Sequence, residues 1–400
     1  MANQVGSARV VGRDKLIARL WKQLGTKSVR FTAERRIGKT TVMNKMKDES
    51  IDGMHVIYLD LEKVASVDQF AEALVSEFGS VLTRMQKTKK NFEGLLDRIQ
   101  GTEIGGIIKI PASTSTNWQR ILEETLNWAC ENNDQTLVLM FDELPYMLQK
   151  MIADDDSDQN QALHLLDTLR ALRDTHKNDL RMVFAGSVGL HHVLKALQNE
   201  EIPSQPFNDM PMVEILPLVL DDAHTLAARL IDEEQVNMAD GQKAKVVREI
   251  CKHTDCVPFY IEKVVARLSE EEAPVWGEDI EPLVLGQLTD DRDSWEMEHF
   301  RSRLKIYYPH RVKDAHGKTL ASHIITTHIL NLISVASNPL SINEIIDGIK
   351  SHIAFDDRGT VIELLRLLSR DHYLMCCTEK KYSFRFDLVR TWWVKAQGLI

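Results

Sequence analysis

The sequence predicts an α/β fold in its first half, followed by an all-helical stretch and a winged-helix-like end, on three observations. Short β-rich runs alternate with helical patterns between residues 28 and 185, the signature of βαβ units and a parallel sheet with helices on both faces. After Pro217 the alternation stops and helical segments succeed one another. Residues 321–400 then read as three helices and two β-like runs, the order of a winged helix.

Size and composition narrow the class. A chain of 400 residues is too long for one ordinary core and implies two or three domains. Hydrophobic residues at 44% and charged residues at 27% make a globular balance. The longest apolar runs have strand length, far short of a membrane span, and the N-terminal MANQVGSARVVGRD has no apolar signal core. The expected location is the cytoplasm, with no membrane partner. The five cysteines, Cys130, Cys251, Cys256, Cys376 and Cys377, include no paired CxxC spacing, which argues against a disulfide framework or a zinc site. A formal charge of −10 means that any nucleic-acid contact needs a local basic face.

The elements follow from local pattern. Residues 13–24 place apolar side chains at helical spacing, and 28–32 form a short strand ending in a turn that carries 35–41. Helix returns at 40–46. His55 to Asp60 reads as a buried strand, 67–82 as a helix, and 85–115 as an insertion or surface hairpin with Lys87, Lys89 and Lys90. A helix at 117–131 precedes the apolar strand 136–141, which runs into Asp142 and Glu143. An acidic loop tip is expected at 153–158, a helix at 161–175, and a strand at 181–185 that meets Gly186 and Ser187. Helices at 221–232, 243–253 and 258–268 come next. Residues 301–318 hold six Lys/Arg against one Asp and read as a basic connector. Helices at 323–334, 342–350 and 358–370 and β-like runs at 373–377 and 382–386 complete the chain.

The segment Ala33-Glu34-Arg35-Arg36-Ile37-Gly38-Lys39-Thr40-Thr41 fits the P-loop pattern except at its first position, where alanine replaces glycine. Phosphate binding needs backbone N–H groups turned inward around the anion and a helix N-terminus beyond them. Gly38 lets the chain pass close to phosphate without a Cβ clash. Lys39 reaches the β- and γ-phosphates, and Thr40 offers its hydroxyl to Mg²⁺. The pattern lies between a strand and a helix, as that chemistry requires. About a hundred residues later a second apolar strand ends in two carboxylates, which divide the labour: Asp142 orders the magnesium shell and Glu143 polarises the attacking water. Ser187, after the next strand, is a candidate for sensing the γ-phosphate or the water; a helix N-cap is its bland alternative. His191 and His192 are adjacent and point to different helix faces, so a two-histidine metal site is not expected.

The set VGRD at 11–14, AERRIGKTT at 33–41, LMFDEL at 139–144 and AGSVGLHHVL at 185–194 resembles the AAA+/STAND-type P-loop ATPases of the bacterial and archaeal "archaeal ATPase" group. That group commonly has two arginines before the GKT and tolerates alanine at the loop's first position. Further similar segments are Asn208-Asp209, LPL at 216–218, VPFYI at 257–261, DHYL at 371–374 and YSFRFDLVRTWW at 382–393. The resemblance implies a P-loop ATPase core over 1–216, a helical lid over 217–290, the basic connector over 291–320 and a winged-helix domain over 321–400. It also implies that Val11, Gly12 and Arg13 lie near the adenine and that Pro258 closes over the base, although Cys256 stands where the lid motif usually has glycine.

The expected ligands are ATP and Mg²⁺. The expected activity is slow ATP hydrolysis in a molecular switch that couples nucleotide state to a protein partner or to self-assembly, in a defence or signalling role. A DNA-associated, origin-recognition-like loader is the alternative. It is less favoured because residues 321–400 hold nine Lys/Arg against eight Asp/Glu, too nearly neutral to track phosphates; Arg301, Arg303 and Lys305 are the residues that would carry it. Arg35 and Arg36 are read as phosphate or subunit contacts, or else as solvated charge. Arg170 and Arg173 are candidate arginine fingers, with exposed helix charge as the plainer reading. Trp392 and Trp393 are expected in a core.

Overall fold

Every residue of strand β5 (Thr136–Asp142) from Leu137 onward is buried, as a strand must be when helices cover both faces of its sheet. In the computed structural model β5 runs parallel to β2 (Met54–Asp60) on one side and to β6 (Leu180–Phe184) on the other. β1 (Val29–Thr32) pairs in parallel with β6, and β7 (Met212–Glu214) lies beside β1. The order is β2-β5-β6-β1-β7. The structure describes residues 10–85, 102–104, 107–109, 118–154, 156–186, 189–197, 206–290, 292–314, 316–317 and 319–399. They fall into two compact units, Met1–Ile215 and Leu216–Ile400.

In the first unit, α1 (Asp14–Leu24), α2 (Lys39–Asp48), α3 (Val67–Met85), α4 (Trp118–Glu131), α5 (Leu144–Asp154), α6 (Asp156–Thr175) and α7 (Leu190–Leu197) accompany the sheet. The expected hairpin in 85–115 is present in part, as β3 (Thr102–Ile104) antiparallel to β4 (Ile107–Lys109); Lys87, Lys89 and Lys90 lie outside the described residues. Two expectations change. Among the described residues β2 is an edge strand, and its burial alternates from Ile57 to Asp60. The acidic run 153–158 is not a loop tip, because α5 extends to Asp154 and α6 starts at Asp156; acidic residues suit the first turn of a helix, where the macrodipole favours them. β7 and α5 had no distinct pattern in the sequence.

The core between sheet and helices contains a row of rings, Phe70, Phe141, Phe184 and Phe207, with successive centroids 5.3, 5.7 and 5.4 Å apart. Each buried ring contributes roughly 2–3 kcal/mol by burial alone. Arg173 extends this core. The residue is 4% exposed, and its guanidinium lies over the Phe184 ring, donates to both carboxylate oxygens of Asp209 at 2.9 and 3.0 Å, and donates to the Pro206 carbonyl at 2.6 Å. Burial alone would raise the Asp209 pKa, but the Arg173 hydrogen bonds and charge hold it below the usual carboxylate value. Arg173 is therefore neither a finger nor exposed helix charge. Arg170, by contrast, is partly exposed beside Asp174.

The second unit begins with α8 (Leu220–Glu233), α9 (Lys243–His253), α10 (Pro258–Leu268) and α11 (Ile280–Leu288). The stretch 291–320, expected as a basic connector, carries α12 (His299–Tyr307) and an antiparallel pair, β8 (Arg311–Lys313) and β9 (Thr319–Ala321). Arg303 in α12 is not a solvated cation. It is buried, donates to the Tyr373 hydroxyl at 2.7 Å and the Asp371 carbonyl at 3.1 Å, and lies over the Tyr373 ring. Tyr308 donates to the Asp371 carboxylate at 2.5 Å in the same buried network. Arg301 pairs with Glu298. A basic face built on Arg301, Arg303 and Lys305 therefore loses its central member.

Beyond β9 come α13 (Ser322–Val335), β10 (Leu340–Ser341), α14 (Ile342–Ile353), α15 (Arg358–Arg370), β11 (Leu374–Cys376) and β12 (Lys381–Phe384), with the strands ordered β10-β12-β11 and antiparallel. Ser341 and Glu344 form a capping box at the start of α14. A final helix, α16 (Asp387–Ala396), was not distinguished in the sequence. It buries Trp392 and Trp393, as expected of core residues, and the Trp393 indole donates to Asn331 at 2.8 Å.

Asp255 ties the loop after α9 to this last helix: its carboxylate accepts from the Leu388 N–H at 2.8 Å, in the first turn of α16. Burial raises the Asp255 pKa to about 6, against the lowering effect of the Leu388 and Asp387 N–H groups and Arg390, with Asp387 adding to the rise. A carboxyl raised from 3.8 to about 6 keeps its proton in the folded state after the unfolded chain has lost it, so its ionisation opposes folding as pH climbs through that window. Asp255→Asn removes the titration and keeps an acceptor oxygen. The stability of this variant relative to wild type, measured by denaturant unfolding, should rise by about 1–3 kcal/mol between pH 4 and pH 7, and a pH-independent difference would contradict the assignment.

Candidate functional site

The loop between β1 and α2 bends through two left-handed residues, Arg36 (φ 71°) and Gly38 (φ 99°). Glycine is needed at 38, where the backbone conformation penalises a Cβ. Ala33 is not a left-handed position, so alanine meets no backbone penalty there, and it is buried. The departure from glycine at the loop's first position thus has a simple steric explanation. Gly38 is the N-cap of α2, so the loop ends at a helix N-terminus, the geometry that favours an anion.

Lys39 is 7% exposed, and its ammonium lies inside the loop, donating to the carbonyls of Ala33 and Glu34, each at 3.1 Å. Glu34 is buried and accepts from the Arg35 N–H at 2.7 Å. Arg35 itself is exposed, while Ile37 is buried. Arg13 is buried and reaches 24 residues along the chain to donate to the Ile37 carbonyl at 2.8 Å. Its guanidinium thus braces the loop from behind, next to the half-buried Val11 and a left-handed Gly12 (φ 72°).

The second half of the site comes from the carboxyl end of β5. The Thr40 hydroxyl donates to Asp142 Oδ2 at 2.6 Å. Asp142 is 2% exposed, and its other oxygen, Oδ1, accepts the Glu143 N–H at 3.1 Å. A hydroxyl and a buried carboxylate converging at the mouth of the loop form a hard-oxygen donor set, which fits Mg²⁺. Thr40 and Asp142 would hold that ion, and Thr41, half-buried behind them, lies against Gly38.

Glu143 has a left-handed backbone (φ 57°), a conformation that costs a non-glycine residue on the order of 1 kcal/mol and gathers at functional sites. The constraint that imposes it is visible at both ends. The Ala185 N–H donates to the Phe141 carbonyl at 2.9 Å, and the Leu144 N–H donates to the Ala185 carbonyl at 3.2 Å. The end of β6 therefore clamps the residues on either side of the Asp142-Glu143 pair. Gly186 completes the clamp, because a Cβ there would fall 2.5 Å from Pro145 Cδ and 3.5 Å from Glu143 Oε2.

Ser187 lies outside the described residues. Pro258 opens α10 at its first turn, and the two residues before Val257, Asp255 (φ 49°) and Cys256 (φ 55°), are both left-handed. Cys256, where the resemblance leads one to expect glycine, thus adopts a backbone conformation that favours glycine. Tyr58, not among the candidates legible in the sequence, donates its hydroxyl to Asp142 Oδ2 at 3.1 Å. Burial first, then the Asp142 charge, raise its pKa, so it remains a donor. A signal for it exists: HVIYLD and LVLMFD both end in aspartate, and aligning them as neighbouring parallel strands puts Tyr58 on the face of Asp142.

Residues 24–194 match the family described as "AAA domain". Among solved structures, the chain is similar to the Walker-type ATPase of Pyrococcus abyssi, with a TM-score of 0.58 and 16% identity over 96% of each chain. It is also aligned with the RuvB Holliday junction branch migration motor of Thermotoga maritima, at a TM-score of 0.38 and 11% identity over 93% of this chain and 92% of that one. The second score is too low to support an argument. No curated protein matches the chain. The first similarity, the parallel sheet and the loop together establish a P-loop ATPase fold. No described helix is long and apolar enough to cross a membrane.

The clamp around Glu143 can be tested by filling it. Gly186→Ala should lower stability by about 1–3 kcal/mol through overpacking, seen as a drop in melting temperature. An unchanged melting temperature would mean that the Pro145–Gly186 contact is looser than the 2.5 Å approach implies.

Proposed function

We propose that the chain binds ATP with Mg²⁺ and hydrolyses it slowly, as an AAA+/STAND-like molecular switch that couples nucleotide state to a protein partner or to self-assembly. The single observation that carries this reading is the 2.6 Å hydrogen bond between Thr40 and Asp142, which joins the phosphate loop to the end of the second apolar strand. The family match over residues 24–194 supports it independently.

In this reading the loop N–H groups and Lys39 bind the β- and γ-phosphates. Bound magnesium supplies charge neutralisation at the transferring phosphoryl group. Glu143, held by its clamp next to Asp142, accepts a proton from the attacking water. Val11, Gly12 and Arg13 border the adenine, and Pro258 closes over it from a lid at 217–290. Ser187 senses the γ-phosphate. Residues 321–400, a winged-helix domain by the order of their elements, carry the change to the partner. A cytoplasmic location belongs to the same proposal, and a role in defence or signalling rests on the resemblance alone. The DNA-loader alternative has less support, since Arg303 is engaged in a buried network.

The test is Glu143→Gln, which keeps the shape of the side chain and removes the base. Phosphate release should fall by about 10²–10³-fold, in line with loss of a general base, while Mg-ATP affinity stays within a factor of about three. Unchanged phosphate release would reduce the chain to a nucleotide-binding scaffold.

A further inference from the structure

We propose that Tyr58 is a positioning residue for the magnesium-holding carboxylate: its hydroxyl, reaching across from β2, fixes the orientation of Asp142. The inference rests on the ATPase reading above and goes beyond it, because neither the loop pattern nor the two carboxylates require a tyrosine at this place.

The geometry begins with strand register. β2 and β5 run parallel, with Tyr58 opposite Met140 and Asp60 opposite Asp142. Side chains two residues apart on a strand share a face, so Tyr58, Asp60, Met140 and Asp142 project to one side of the sheet. From that side Thr40 of α2 meets Asp142. The Tyr58 ring has the Lys47 ammonium of the same helix 5.6 Å from its centroid.

Each oxygen of a carboxylate has two lone-pair sites. Asp142 Oδ2 accepts both Thr40 at 2.6 Å and Tyr58 at 3.1 Å, while Oδ1 accepts the Glu143 N–H at 3.1 Å. Oδ2 is thus saturated by two protein donors, and Oδ1 retains one acceptor direction. Rotating the carboxylate would break all three bonds. Thr40 belongs to the loop pattern and Glu143 to the carboxylate pair, whereas Tyr58 belongs to neither and reaches Asp142 from β2. Its hydroxyl holds the carboxylate when Thr40 turns its oxygen towards a metal. A phenylalanine would fill the same volume between β2 and α2 and supply no donor, so the hydroxyl and the ring can be tested separately.

The experiment is Tyr58→Phe in the full chain. Binding of a fluorescent ATP analogue is titrated at fixed analogue with increasing Mg²⁺ and again in EDTA. Loss of one hydrogen bond to a charged acceptor should raise the Mg²⁺ concentration for half-maximal enhancement of binding by about tenfold or more. Metal-free affinity should be unchanged. At saturating Mg²⁺, kcat should fall while KM for ATP stays level. A merely structural role predicts a different pattern: equal weakening with and without Mg²⁺, together with a lower melting temperature of the nucleotide-free protein. That pattern, or an Mg²⁺ midpoint equal to wild type, overturns the proposal. If the wild type fails to bind the analogue any better than Lys39→Ala, the ATPase reading has failed first and takes this inference with it. If the wild type binds and Tyr58→Phe matches it, only this inference has failed.

Discussion

The hydroxyl of Thr40 and the carboxylate of Asp142 are separated by 102 residues in sequence and by 2.6 Å in space, and the rest of the first unit can be read as the means of holding them there. Thr40 is fixed because Gly38, left-handed, starts α2 immediately after the loop. Asp142 is fixed because β5 lies inside the sheet, buried on both faces, with its end paired to Asp60 of β2 and clamped by Ala185 beyond β6. An isolated carboxylate that is 2% exposed would be costly. Three donors, Thr40, Tyr58 and the Glu143 N–H, offset that cost.

Much of this was legible in the sequence, for a physical reason. Backbone conformation and phosphate chemistry constrain short segments tightly, so Gly38, Lys39 and Thr40 stand out within nine residues. A central parallel strand must be apolar throughout, so TLVLMF ending in Asp-Glu is conspicuous. Helices with a buried stripe, such as α9 and α10, also betray themselves by period. The alternation of strand and helix then implies a parallel sheet, although not which strand lies at its edge. β2 read as buried because HVIYL is apolar in composition, whereas among the described residues it pairs with β5 alone and ends the sheet order.

What was not legible depends on contacts between distant segments. Arg173 and Arg303 look like surface charge, because arginine usually is. Both are buried, each against rings and with hydrogen-bond partners from segments 36 and 70 residues away. Tyr58 was overlooked for a related reason: a tyrosine in a strand is ordinary, and only strand register reveals its partner. The final helix α16 was hidden by the aromatic run that precedes and enters it, which reads as β-like until Trp392 and Trp393 are seen on one buried surface. Cys256 shows the reverse case. The substitution for glycine was visible, but its backbone strain was not.

The most direct test of the account is calorimetric titration of ATP into the protein with and without Mg²⁺, for the wild type and for Thr40→Val. Wild type should bind ATP at least tenfold more tightly with the metal, about 1.4 kcal/mol, and Thr40→Val should lose that difference while keeping its metal-free affinity. Full metal dependence in Thr40→Val would contradict the claim that the loop hydroxyl and Asp142 form one magnesium site.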